Sequence, residues 1–257
     1  MPLIVSIKVA MEDCRNQREV TTMMHIRPAQ ERGEANFGWL DSRHTFSFGH
    51  YFDDRYMGFG PLRVINEDRV KPGAGFDTHG HRDMEILSYV VEGELAHRDN
   101  TGTGSVIRRG DIQRMTAGSG ILHSEFNHSS EEPVHFLQIW IHPDRTNLAP
   151  GYEQKTLDPA DRKNRLVLIA SPQGGEHAVL IHQDARIYAG ELDASKAVTY
   201  TAAARRGLWL QMIKGQVTVG EAVLSAGDGA QFTDEALLRI KAVQDAEFLL
   251  FDLPPAP

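Results

Sequence analysis

The 257-residue sequence contains a single cysteine, Cys14. An internal disulfide is excluded, and such sparse cysteine use fits a reducing compartment, so a cytoplasmic location is expected. Positive charge is also in short supply. Twenty-seven Lys and Arg stand against 35 Asp and Glu, a formal net charge of −8. Without a basic stripe the chain lacks the electrostatic footprint of phosphate contacts, and no direct nucleic-acid partner is expected. No apolar run is long enough to cross a bilayer, and no membrane partner is expected. The opening MPLIVSIKVA is too short to span, and it lacks the basic lead and small-residue cleavage site of a signal peptide. Residues 1–24 are expected to form a poorly ordered extension. Gly-rich phosphate loops, a Ser-His-Asp order and a reactive-cysteine context are all missing, so no organic cofactor is expected. Long helical periodicity is scarce as well.

What the chain has instead is a succession of short β-like runs separated by Gly, Pro, Asp and Asn. Examples are Leu62-Arg63-Val64-Ile65, Glu85 to Val91, Phe136 to Ile141, Arg165 to Ile169, Leu208 to Ile213 and Phe248 to Phe251. Many short strands with turn signals between them point to an all-β sandwich or barrel. A weak repeat is visible. Val90-Val91-Glu92-Gly93-Glu94-Leu95 echoes Met212-Ile213-Lys214-Gly215-Gln216-Val217, and Gly110-Asp111 echoes Gly227-Asp228. Two copies of one unit predict two stacked antiparallel β-barrels, over residues 25–145 and 160–257. The turn-rich stretch from Pro143 to Pro159 is expected to connect them.

The chemistry concentrates in two short segments, His79-Gly80-His81 and His123-Ser124-Glu125. Side chains two apart on a strand share a face, so each pair can aim both members at one point. The histidine pair is expected to open a strand. Three imidazoles and one carboxylate suit a first-row transition metal and leave coordination room for water or substrate. With 12 histidines in the chain, one chance His-x-His would be unremarkable. A second pair inside a Gly-rich loop is not. Structural zinc sites are usually closed and Cys-rich, which this set is not. His97, His128, His135, His142, His177 and His182 lack paired spacing and are expected at the surface or in packing. Carried across the repeat, the four donor positions fall at Thr201, Ala203, Ile240 and Ala242, so only the first barrel is expected to hold metal.

The surrounding residues resemble the cupin pattern. Gly73 precedes His79, Gly93 ends the following strand, and Gly118-Ser119-Gly120-Ile121-Leu122-His123 leads to Asn127. The usual cupin glutamate is absent near Ile86, and that departure points to a subfamily. Gly38-Trp39-Leu40-Asp41-Ser42, His44-Thr45-Phe46-Ser47-Phe48, His79 to Ile86, Met115 to Glu125 and Leu249 to Pro254 resemble pirins, and bacterial pirin-like quercetin dioxygenases more closely still. The resemblance covers roughly His25 to Pro255. It implies a bicupin fold with metal held by His79, His81, His123 and Glu125. It also implies oxidative ring cleavage of a flavonol such as quercetin by dioxygen, with release of carbon monoxide. In that reaction the metal binds the substrate 3-hydroxyl and Glu125 takes its proton as general base. Iron is the first expectation among metals, while copper, nickel, cobalt, manganese and zinc suit the same donors. Phe46, Phe48, Phe59 and Met115 are candidates to line the cavity. Some pirins act as metal- or redox-sensing regulators, so a protein partner is the alternative to a small aromatic substrate. A monomer is expected.

Overall fold

The computed structural model describes residues 4–7, 22–233 and 237–255. In chain order the strands are β1 (Ile4–Ile7), β2 (Thr22–Arg27), β3 (Gly33–Asn36), β4 (Leu40–His44), β5 (Leu62–Val70), β6 (Gly75–His81), β7 (Glu85–Glu92) and β8 (Glu94–Asp99). There follow β9 (Gly104–Arg108), β10 (Asp111–Thr116), β11 (Ile121–Asn127), β12 (Val134–Ile141), β13 (Gly151–Thr156), β14 (Arg165–Ser171) and β15 (Val179–Leu180). The last group is β16 (Arg186–Leu192), β17 (Ala197–Thr201), β18 (Gly207–Lys214), β19 (Gln216–Val219), β20 (Ala222–Ser225), β21 (Gly229–Thr233), β22 (Leu237–Ala242) and β23 (Ala246–Leu253). Among the described residues no helix is long and apolar enough to cross a membrane.

Two compact units emerge. The first comprises Arg32–Pro159 and Leu168–Arg186, the second Met1–Glu31, Ala160–Val167 and Ile187–Pro257. In the first, a seven-stranded sheet runs β13-β10-β7-β12-β5-β4-β3, and a four-stranded sheet runs β6-β11-β8-β9. Strand character follows burial. The central strands β7 and β12 are buried along almost their whole length, and their sequences are near-continuous apolar runs. β11 instead alternates, with Ile121, His123, Glu125 and Asn127 buried and Leu122 exposed. Leu40, Val70, Val90, Leu95, Ile107, Val134 and Phe136 form one core cluster between the sheets.

The second unit repeats the plan. β2, β21, β18, β23 and β16 neighbour one another in a sheet, and β17-β22-β19-β20 forms its four-stranded companion. Leu208, Leu210, Val217, Leu224, Phe232, Leu238, Ile240 and Phe248 pack between them. The echoed glycines stand at corresponding corners, with Gly93 at φ +76° between β7 and β8 and Gly215 at φ +70° between β18 and β19. A left-handed backbone is reached by glycine without steric cost, which is why that residue recurs in both copies.

Several boundaries differ from the sequence expectation. Residues 25–31 count with the second unit, because β2 pairs with β21 from Met23↔Thr233 to Arg27↔Gly229. Residues 168–186 count with the first. The stretch from Pro143 to Pro159 is more than a connector. Its Gly151–Thr156 segment forms β13 and supplies the outer edge of β10 with backbone partners, from Asp111↔Thr156 to Thr116↔Gly151. β10 is buried throughout, so its peptide groups need such a partner. Of the expected extension over 1–24, residues 4–7 form β1 against β2, and most of the remainder lies outside the described residues.

Candidate metal centre

β6, β11 and β8 lie side by side, and their registers create the site. His123 on β11 stands opposite His79 on β6 and opposite Asp99 on β8. Glu125 stands opposite Phe76 and His97, with an irregularity in the β6 pairing between His123 and Glu125. His79 and His81 share one face by their spacing, as expected, but they close β6 instead of opening it. Pairing with β11 already begins at Gly75↔Phe126, so the residues before the pair are drawn into the strand.

Three of the four expected donors come together. The ligand atoms of His79, His81 and His123 lie within 4.8 Å of one another. His79 Nε2 faces His123 Nε2 at 3.1 Å. The His79 ring donates its Nδ1 proton to the Asp77 carbonyl at 2.7 Å, so Nε2 is the nitrogen it turns to the cluster. Two nitrogens each bound at 2.0–2.1 Å to one ion stand about 3 to 3.4 Å apart, so this spacing is that of a coordination edge. Burial, then the neighbouring rings of His123 and His79, push the His81 pKa down to about 4. Burial, then His79 and His97, push His123 down to about 3. Both rings are neutral near pH 7, the state a metal ligand requires. The donor chemistry therefore fits a divalent transition metal.

Glu125 sits one step deeper. Its carboxylate groups with His123 and His97 within 4.8 Å. Gln138 Nε2 donates to Glu125 Oε2 at 2.6 Å, and Ser88 Oγ donates to Oε1 at 3.2 Å. Both oxygens are thus held from the seven-stranded sheet, by residues on β12 and β7. His97, expected as a packing or surface residue, is 1% exposed and contacts His123, with 3.5 Å between the two Nδ1 atoms. Its Nε2 meets Asp99 Oδ2 at 3.0 Å. Asp99 is partly buried, which disfavours its charge. Hydrogen bonds from Thr101, His97 and Thr103 outweigh this and hold its pKa below the usual carboxylate value. The signal for this pair was present as His97-x-Asp99, a same-face spacing on the strand that follows Gly93.

The wall beside His81 is aromatic. Trp140 meets His81 edge-on at 4.9 Å between ring centroids, and Phe48 meets Trp140 at 5.3 Å. Met115 packs with Ile86, Ala117 and Ile121. Phe46 is buried, and Phe59 makes a bridge to Leu62. Gly118 and Gly120 take φ +47° and +134° in the loop that delivers His123. Glu85 turns away from the site, accepting from Thr116 Oγ1 at 3.0 Å and meeting His182 Nδ1 at 3.1 Å. His135 is buried against Glu67, while His128 and His142 are exposed. A cleft of about 530 Å³ opens elsewhere in the first unit, lined by Asp144, Arg145, Pro172, Gln173 and Leu180 to Asp184, and none of the four expected donors borders it.

The second unit fills the corresponding place differently. Its registers Val217↔Ala242 and Tyr200↔Leu238 mirror Leu95↔Asn127 and His79↔His123. The counterparts of His79, His81, His123 and Glu125 are therefore Tyr200, Ala202, Leu238 and Ile240, one or two places from the positions the sequence repeat suggests. Ala202, Leu238 and Ile240 belong to the apolar core, and the Tyr200 hydroxyl donates to Asp252.

Two β units of one plan, with an imidazole cluster between the sheets of the first, define a protein of two cupin domains. Residues 25–141 match the family model described as Pirin, and residues 168–253 match the Quercetinase C-terminal cupin domain. The chain belongs to the pirin family. The quercetin 2,3-dioxygenase of Escherichia coli (strain K12) is 46% identical over 233 residues, covering 91% of this chain and 100% of that protein. A pirin-like protein of Caulobacter vibrioides is 39% identical over 231 residues, covering 90% and 99%. The crystal structure of YhhW from Escherichia coli matches with a TM-score of 0.88 at 45% identity, over 91% of this chain and 99% of that one. The structure of the bacterial pirin YhhW in complex with nickel(II) matches with a TM-score of 0.86 at 44% identity, over 91% and 100%.

Proposed function

We propose that the protein is a metal-dependent dioxygenase of the pirin type, opening the ring of a flavonol such as quercetin with dioxygen as second substrate. The observation that carries this reading is the trio His79, His81 and His123, whose ligand atoms gather within 4.8 Å of one another, with 3.1 Å between the Nε2 atoms of His79 and His123, inside the first cupin unit. Relatives named quercetin 2,3-dioxygenase and a nickel(II) complex of a bacterial pirin support it. A divalent metal held by these imidazoles supplies Lewis acidity, lowering the pKa of a hydroxyl bound to it. The chain does the rest. His79 and His81 are half-exposed, so the cluster is open on the side where substrate arrives. Glu125 receives the proton of the substrate 3-hydroxyl as general base. Gln138 and Ser88 hold that carboxylate beside His123, so it acts from a fixed position. Trp140, Phe48 and Met115 form an apolar wall that keeps water from the reacting ring. Iron(II) and nickel(II) are the ions to load first, since the donor set suits either.

The test is turnover of quercetin by metal-loaded protein, followed as loss of flavonol absorbance with oxygen uptake. Turnover that requires His79, His81 and His123 is expected. Protein that binds one metal per chain at these residues yet consumes neither flavonol nor oxygen would overturn the enzymatic reading.

A further inference from the structure

We infer that Asn66, Gln113 and Trp140 belong to a recognition belt inside the first unit, which binds the outlying hydroxyl groups of a polyhydroxylated aromatic substrate. The inference rests on the flavonol reaction proposed above and deepens it by naming residues that choose among flavonols. The registers of the seven-stranded sheet align one row of polar side chains across six strands. His44 on β4 stands opposite Asn66 on β5, Asn66 opposite Gln138 on β12, and Gln138 opposite Ser88 on β7. Ser88 stands opposite Gln113 on β10, and Gln113 opposite Gln154 on β13. Directly opposed residues share one face of a sheet. Gln138 and Ser88 hold Glu125, so that face looks towards the imidazole cluster. Apolar rows flank the belt. Val64, Trp140, Ile86 and Met115 form the row on the side where Trp140 meets His81. Phe136 and Val90 stand opposite each other on the other side, within the core between the sheets. A few polar groups between apolar walls suit a flat ring system with polar edges.

The protein satisfies only part of this belt. Ser88, Gln138 and Gln154 have side-chain partners. Among the described residues, Asn66 Oδ1 and Gln113 Oε1 are buried without a hydrogen-bond partner, on side chains 4% and 1% exposed. Trp140 Nε1 is buried and unpartnered on the same face, and so is Asp68 Oδ1, two residues along β5 from Asn66. Unpaired polar atoms destabilise a core, so a row of them that serves packing alone would be apolar. The two amide oxygens call for a proton donor and the indole N–H for an acceptor. A phenolic hydroxyl is both. A carboxylate or phosphate has no proton for Asn66 or Gln113 and would meet the Glu125 carboxylate. Asn66 and Gln113 lie on strands three spacings apart, about 14 Å. Gln138 and Ser88 stand between them, so a ligand that spans the belt presents its middle to Glu125.

The experiment compares two compounds on nickel(II)-loaded protein: quercetin, and a flavonol that keeps the 3-hydroxyl but lacks quercetin's other hydroxyls. Calorimetry without oxygen gives dissociation constants, and turnover with oxygen gives kcat/KM. Wild type should prefer quercetin by about 100-fold or more in both, because a site built to pair hydroxyls rejects an analogue lacking them. Asn66→Leu replaces the amide with an apolar group of similar size. It should weaken quercetin binding by about 10- to 100-fold and leave the stripped flavonol nearly unchanged. Gln113→Leu should act likewise, as should Trp140→Phe, which keeps a ring beside His81 and loses the indole N–H. Circular dichroism and nickel(II) content should match wild type in each. Equal wild-type constants for the two compounds overturn the inference without any variant, and leave ordered water as the partner of the belt. So does an Asn66→Leu protein with the wild-type preference, or a wild type that binds neither compound. Discriminating binding without turnover overturns the enzymatic reading and leaves the belt standing, whereas turnover without discrimination does the reverse.

Discussion

Glu125 is the residue on which the proposed chemistry turns. Glu125→Gln preserves size and the bond to Gln138 but removes the basic oxygen. We expect flavonol turnover to fall by roughly 10²- to 10⁴-fold with metal content retained, checked by steady-state assay and elemental analysis. A second carboxylate serves stability instead. Glu67 is buried and meets Arg32 at 2.9 Å, His135 at 2.9 Å and Arg69 at 3.0 Å. Burial opposes its charge, but the hydrogen bond from His135 and the Arg32 guanidinium overcome this and lower its pKa to about 2. Glu67→Gln leaves Arg32 buried without its counter-ion and should cost about 3 kcal/mol at pH 7 in urea unfolding. The unfolded carboxyl titrates near its ordinary 4.5 and the folded one near 2, so the contribution is whole above pH 4.5 and is lost as pH falls towards 2. Wild type and variant should therefore converge in stability near pH 2. The imidazole cluster was legible residue by residue because His-x-His carries its own geometry. His97 was not, since its contact with His123 is a diagonal one across the β8–β11 pair, set by a register between distant strands.

Turns decide where the elements deliver their side chains. Gly118 lies in the loop between β10 and β11 at φ +47°, and a Cβ there would stand 2.0 Å from the Leu148 carbonyl oxygen. Gly215 has the same constraint in the second unit, where a Cβ would stand 1.9 Å from the Asp245 carbonyl. Each Gly→Ala change combines a left-handed backbone with a backbone clash and should destabilise by about 2–4 kcal/mol. Their effects on metal should differ. Gly118→Ala displaces the loop that leads to His123 and should weaken nickel(II) binding, whereas Gly215→Ala should leave the affinity of the folded protein unchanged. Calorimetric titration beside thermal melts separates the two. Strand identity was readable where apolar runs were strong, as in β5, β7, β12, β18 and β23. β13 escaped notice because Gly151–Thr156 is polar and half-buried, and its strand conformation is imposed by the exposed edge of β10.

For the molecule as a whole, metal and protons compete for the same imidazoles. His81 and His123 titrate near 4 and 3 when folded, against an ordinary 6.5. The unfolded chain binds more protons over that interval, so the metal-free protein should keep its full stability above pH 6.5 and lose it as pH falls through 4 and 3. Nickel(II) at a hundred times its dissociation constant should add about 2.7 kcal/mol near pH 7.5. That increment should shrink as pH falls through 4 and disappear below about pH 3, where protons hold both rings. Melting curves with and without metal at several pH values test both statements, and an increment that persists well below pH 3 would contradict the assigned donors. The sequence by itself determined the β class, the doubled plan with its Gly corners, and the donor types, because each depends on alternation or turn chemistry within a few residues. Only the tertiary structure decided that β2 joins the second unit, that His97 and Asp99 stand behind His123, and that Tyr200, Ala202, Leu238 and Ile240 occupy the second copy of the site. These depend on which distant strands pair and in what register, and a register is chosen by burying one face of every strand at once.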